Sequence, residues 1–407
     1  MKNKRLMLAG LLLISMNLRA PFTSMAPLLD DISTTFALSA TQAGLLIAVP
    51  LLAFSAVSPF AAGIAGKWGL ERTLFFALLL IGAGILFRAG GSSAALYVGT
   101  IIIGSGIAFG NVLLPSLLKR DFADKVPSLT ATYVLTMGVA AASSSAVVHP
   151  LLNFAHTGWR AVSQVTLILT VAAALVWLPQ LRRTTSVATA AAAAADKSGN
   201  NVWRSPLAWL VTVYLGFDCF LYYAGVSWLP AILRDMAGYS AETAASLHGV
   251  LLLATAVPGL ILIPLTPKLR DQRALAFAIA MGMAVGMFGF VLAPSLALLW
   301  IIFFGIGAGG GLIVALSFFS LRTTSAGDAA ALSGMSQCVG YLIAATGPTL
   351  IGRVHDLAGS WTLPLSVCGV FGVVMAIVGW YAGRNVQIGV PVEAKREEGF
   401  AAFSTET

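Results

Sequence analysis

Twelve stretches of this chain are each long and apolar enough to cross a bilayer as a helix, and no other feature constrains the fold as far. A hydrocarbon core takes about 20 apolar residues of helix, and lipid offers the backbone no hydrogen-bond partner outside its own segment. The windows fall near residues 6–29, 41–65, 73–89, 94–118, 128–153, 161–180, 206–233, 243–266, 274–293, 295–320, 329–352 and 361–383. They predict an all-α membrane protein of twelve transmembrane helices. Only 10% of the residues are charged, against roughly a quarter in a soluble domain.

The net charge of +8 reflects membrane topology and implies no nucleic acid partner. All but five of the 24 Lys and Arg residues fall on tails and loops of one side. The exceptions are Arg88, Arg160, Arg234 and Arg353 at the opposite edge, and Arg19 inside the first span. By the positive-inside rule that side is the cytoplasm, and both termini are expected there. Cys219, Cys338 and Cys368 stand in apolar stretches without metal-ligand or CxxC spacing, so no disulfide framework and no metal site is expected. No nucleophile and base pair, metal-binding helix or phosphate loop is present, which argues against a membrane-embedded enzyme and against an ATP-driven pump. No cofactor is implied.

The polar stretch 181–205, with Arg182, Arg183 and an alanine run from Ala190 to Ala195, reads as a cytoplasmic linker. It divides an N-terminal six-helix bundle (1–180) from a C-terminal one (206–384), followed by a cytoplasmic tail (385–407). An internal repeat supports the division. Gly104, Gly106, Gly110 and Ser116 in span four return in span ten as Gly305, Gly307, Gly311 and Ser317. Ser24 and Pro27 in span one return in span seven as Ser227 and Pro230, and Gly44 and Pro59 in span two as Gly249 and Pro264 in span eight. Two pseudo-symmetric bundles with a substrate site between them at the midplane are the repeat architecture of the major facilitator fold, which works by alternating access. The small residues suit helices that must pack closely and still tilt.

Two ionisable groups fall near the midplane, Arg19 in span one and Asp218 in span seven. Each costs about 2.5–3.5 kcal/mol to insert, so a cavity or a partner is expected. Arg19 offers a planar fork suited to a carboxylate, a comparable small anion or a nitro group. Asp218 is a candidate for proton coupling or a static partner of Arg19; both readings stay open. Asn17, Asn111, Tyr222, Tyr223, His248, Gln337 and Tyr341 are the further candidates for binding a solute, with Trp228 beside them. Asp218 and Tyr222 share a helix face by their spacing, as do Gln337 and Tyr341.

The run Asn17–Leu29 (NLRAPFTSMAPLL) resembles the first-helix signature of the cyanate/2-nitroimidazole transporter family within the major facilitator superfamily. Gly110–Phe122, Trp228–Leu233, Ser246–Gly249 and Ala331–Gln337 resemble its 2-nitroimidazole transporter branch. The resemblance covers nearly the whole chain. It implies a secondary transporter of the bacterial inner membrane that moves a small anion such as cyanate or a nitroheterocycle, with Arg19 as the matching motif residue; a monomer is expected. Proton-coupled efflux is the expected direction; anion uptake by proton symport or exchange is the alternative. Two superfamily patterns are degraded: the loop after span two carries Gly66, Lys67, Gly69, Glu71 and Arg72, and span five lacks the Gly-Pro antiporter pattern.

Overall fold

The computed structural model describes residues 2–25, 28–38, 40–155, 158–182, 202–265, 269 and 271–389. Most of the linker (183–201) and the end of the tail (390–407) lie outside the described residues. Among those described, the longer regular elements are all α-helices. The N-terminal set is α1 (Lys2–Asn17), α2 (Ala20–Thr23), α3 (Leu29–Phe36), α4 (Ala40–Trp68), α5 (Leu70–Arg88), α6 (Ser93–Asp121), α7 (Val126–Ala155), α8 (Trp159–Gln164) and α9 (Thr166–Trp177). The C-terminal set is α10 (Pro206–Ala237), α11 (Ala241–Leu265), α12 (Arg273–Leu292), α13 (Ala297–Leu321), α14 (Ala326–Ala358) and α15 (Thr362–Ala382). Eleven segments among the described residues are long and apolar enough to span a membrane; a shorter apolar helical stretch, Ser246–Leu262, falls at the eighth expected window.

The first span is not one helix. Pro21 has no N–H to give the Asn17 carbonyl, and its ring disfavours helical backbone at the residue before it. The chain therefore leaves α1 through three-residue turns, with Leu18 N–H donating to Ser15 O and Arg19 N–H to Met16 O. It restarts as α2, where Pro21 sits in the first turn and costs no hydrogen bond. Arg19 occupies the break with φ −124° and ψ −44°. Discontinuous helices of this kind build the midplane sites of transporters, because they free backbone and side-chain polar groups to face a cavity.

The repeated glycines carry the pseudo-symmetry into three dimensions. A side chain at Gly104 would run into Pro50 and Ala53 of α4, and one at Gly305 into Leu251 and Ala254 of α11. Gly106 abuts Ala77 and Ile81 of α5, while Gly307 abuts Ile279 and Met283 of α12. Matching glycines thus admit matching helices. The third pair differs in what it meets: Gly110 faces the Leu18 side chain, whereas Gly311 faces the Asp218 carboxylate. Asp218 stands where the other half keeps a leucine.

The two sets of helices meet along α4 with α14 and α7 with α11. The two sets close on each other through α4, α6, α13 and α14 toward the end where the linker begins. Ser55 Oγ donates to Cys338 O (2.9 Å), Ser116 Oγ to Ala326 O (2.6 Å) and Ser320 Oγ to Pro115 O (2.7 Å). The same end is tied within each set. Arg120 pairs with Glu71 and Asp121, and Trp177 Nε1 donates to Glu71 O (3.0 Å). Arg322 donates to Gln272 and to Gly383 O in the corresponding place of the other set.

Candidate solute-binding site

Beyond that seam, a cavity of about 820 Å³ opens between the two sets of helices. Its walls come from the parts of the helices away from the closed seam: Arg19 to Met25 around α2, Leu46 and Pro50 of α4, Val134 to Ala142 of α7, Asp218 to Ser227 of α10 and Ser246 to Gly259 of α11. The volume lies within the range that accepts a drug-sized ligand, and most of the lining is apolar.

Arg19, Asp218, Tyr222, Tyr223, His248 and Tyr341 all line this cavity, so the fold gathers six of the residues singled out from the sequence. Arg19 is half-buried. Its position follows from the helix break, which turns the residue out of the α1 ladder. Among the described residues no carboxylate lies within ion-pair distance of it, Asp218 included. The guanidinium stands instead among the phenols of Tyr222, Tyr223 and Tyr341. The Tyr222 and Tyr223 rings meet edge-on at 5.2 Å, and Tyr341 meets Phe54 of the opposite set edge-on at 5.0 Å. A flat solute held against these faces would have the arginine fork at its polar edge.

Asp218 is 2% exposed, and its Oδ1 has no hydrogen-bond partner. The carboxylate packs on α13 where Gly311 has no side chain. The Cβ of an alanine there would overlap Oδ1, whereas at Gly110 it would meet only the end of the flexible Leu18 side chain. Gly311→Ala is therefore expected to displace the carboxylate, costing about 1–3 kcal/mol of stability and at least tenfold in flux. Gly110→Ala should keep most of both. Parallel thermal-shift and transport assays check this; equal losses at the two glycines would refute the contrast. His248 Nε2 lies 3.1 Å from Val226 O, a contact that fixes its N–H on that nitrogen.

The other candidates are placed elsewhere. Asn17 is fully buried away from the cavity; its Nδ2 donates to Leu13 O and Leu169 O, and its Oδ1 accepts from Thr170 Oγ1 at 2.6 Å. It ties the end of α1 to α9. Gln337 donates to Ser333 Oγ (2.9 Å) one turn closer to the seam than Tyr341, and its Oε1 has no partner. Asn111 is half-buried and off the cavity wall, and Trp228 donates to Pro348 O (2.8 Å), joining α10 to α14. Conversely, Arg88 lines the cavity although its place at the end of an apolar window reads as a membrane edge. Nothing in its local sequence separates the two cases; the packing of α5 on α6 decides.

Comparison with known proteins places this architecture. The chain matches the Major Facilitator Superfamily over residues 7–348. It belongs to that superfamily. It is 47% identical to the 2-nitroimidazole transporter of Escherichia coli over 95% of this chain and 98% of that protein. It is 26% identical to the cyanate transport protein CynX of Escherichia coli over 88% of this chain and 92% of that one. The solved structure of the superfamily transporter FucP in its outward conformation aligns with a TM-score of 0.75 at 12% identity, covering 93% of this chain and 98% of that one. This last likeness is one of fold. The protein is a multi-pass membrane transporter of this superfamily, not an enzyme.

Proposed function

We propose that this chain is a secondary active transporter of a small polar solute, a 2-nitroimidazole-like heteroaromatic or a small anion such as cyanate, across the bacterial inner membrane. The observation that carries the reading is Arg19. A guanidinium without a carboxylate in ion-pair range among the described residues, set in the break of a spanning helix and walled by three tyrosines, has the fork and the flat apolar faces such a solute needs. The 2-nitroimidazole and cyanate transporters among its relatives support the substrate class. The charge asymmetry of the loops supports cytoplasmic termini, in which case the closed seam faces the cytoplasm and the cavity faces out. The direction we propose is proton-coupled efflux. Flux of 2-nitroimidazole and of cyanate in proteoliposomes, with and without an imposed proton gradient, tests the reading. Accumulation on the side predicted for efflux supports it, gradient-driven movement the other way would establish uptake, and transport of neither compound would end the substrate proposal.

Alternating access gives a second test at the seam. A side chain at Gly334 would place its Cβ 2.8 Å from the Ser58 carbonyl of α4. Gly334→Leu should wedge α4 from α14 and shift the population toward the state open at that end. Two native thiols report the shift, since Cys338 lies at the seam and Cys219 on the cavity wall. Maleimide labelling of Cys338 should rise and that of Cys219 fall, read peptide by peptide by mass spectrometry. Both rising together would indicate unfolding rather than a change of state.

A further inference from the structure

We propose that Arg88 forms a second subsite of the cavity, one that takes a planar carboxylate independently of Arg19. Arg88 ends α5 and is 1% exposed, yet it lines the cavity. Nη1 donates to the Pro21 carbonyl at 2.8 Å, a carbonyl of the short helix that follows the Arg19 break. Nε and Nη2 are buried with no hydrogen-bond partner. These two atoms carry the N–H groups of one edge of the guanidinium plane, parallel and spaced to meet the two oxygens of a carboxylate. One nitrogen therefore holds the backbone while a complete bidentate edge stays unused.

A purely structural role accounts for less. A cation in the last turn of α5 is favoured by the helix dipole, and the bond to Pro21 O would fix the chain after the break. Neither requires an arginine: a lysine supplies the charge and one donor. Neither explains two buried N–H groups left unmade, a costly arrangement that proteins seldom keep without a use. Gly99 of α6 abuts the Arg88 backbone, so α5 and α6 pack closely at this residue. No ion pair involving Arg88 is present among the described residues, and Thr100 of α6, whose hydroxyl donates to Leu96 O, takes no hydrogen bond from the free edge. The free edge is closed to a water-sized probe in this conformation, so a carboxylate reaches it only as neighbouring side chains move aside. The cavity is large enough for a second small ring beside one held at Arg19.

Isothermal titration of benzoate into the purified full chain in lipid nanodiscs tests the proposal. Wild type should take up two equivalents. Arg88→Lys should take up one with unchanged affinity, or bind the second at least tenfold more weakly. A single equivalent in wild type, or two unweakened equivalents in Arg88→Lys, would overturn the second subsite. Where Arg88→Lys does not fold, modification of wild-type Arg88 by phenylglyoxal decides. Saturating benzoate should protect the residue, read by peptide mass spectrometry, and equal modification with and without benzoate would overturn the proposal. Arg19→Lys is the separate control. If it still takes up two equivalents, the role given to Arg19 fails while that of Arg88 stands.

Discussion

Replacing Arg19 by lysine should abolish most solute binding while leaving the protein folded. The substitution keeps the positive charge, so any role that needs only an attractive field survives it. It removes the planar pair of donors that meets two oxygens at once. A hydrogen bond to a charged group contributes about 1.5–3 kcal/mol, so losing one of the two weakens binding by roughly tenfold to a hundredfold. The fold should tolerate the change because Arg19 is half-buried beside an open cavity and joins no ion pair among the described residues. Equilibrium binding of 2-nitroimidazole to wild type and variant, with a melting curve for each, gives the answer. Wild-type affinity in the lysine variant would mean that the solute does not lie in the fork, and the substrate proposal would lose its carrying observation.

The contrast between what the sequence reveals and what it hides follows from how each property is encoded. Span length and the paired glycines are written in local composition, and lipid allows few alternatives to a helix. The windows and the repeat were therefore legible, down to Gly104 and Gly305 admitting equivalent helices. Arg19 and Asp218 were legible because a charge among apolar residues stands out. The break at Leu18 and Arg19 was signalled by Pro21, but the length of the apolar run concealed it. Which polar residues line the cavity was legible only in part: Asp218, Tyr222, Tyr223, His248 and Tyr341 join Arg19 there, whereas Asn17, Asn111 and Gln337 do not. Asn17 lies two residues from Arg19, yet its amide is spent on Leu13, Leu169 and Thr170, because α1 is still a regular helix there and turns that face to α9. Gln337 shares a helix face with Tyr341, but one turn of α14 separates the cavity wall from the seam. Arg88 is the converse, a residue whose burial is set by the packing of α5 on α6 and by its bond to Pro21 O rather than by its local sequence.

Asp218→Asn should separate coupling from transport. The substitution is nearly isosteric, so the fit against Gly311 is retained, and it fixes the side chain in a neutral form resembling the protonated acid. If Asp218 carries the coupling proton, the neutral variant still binds solute and still alternates between its two states. Counterflow exchange, which moves no net proton, should survive at near wild-type rates, while solute movement driven by an imposed proton gradient is lost. Binding should also cease to exchange protons with the buffer, since linkage between proton and solute is reciprocal and vanishes with the titrating group. A static partnership with Arg19 predicts another pattern: removing the acid would leave a buried cation uncompensated, so stability and both transport modes would fall together. The absence of an ion pair between the two residues favours the first outcome, as does the Asp218 Oδ1, which is buried, lacks a partner and belongs to a residue of the cavity wall. An acid kept unpaired on the cavity wall would, under the proposed function, be placed to exchange its proton when a solute arrives or leaves. Gradient-driven transport undiminished in the asparagine variant would remove Asp218 from the coupling mechanism.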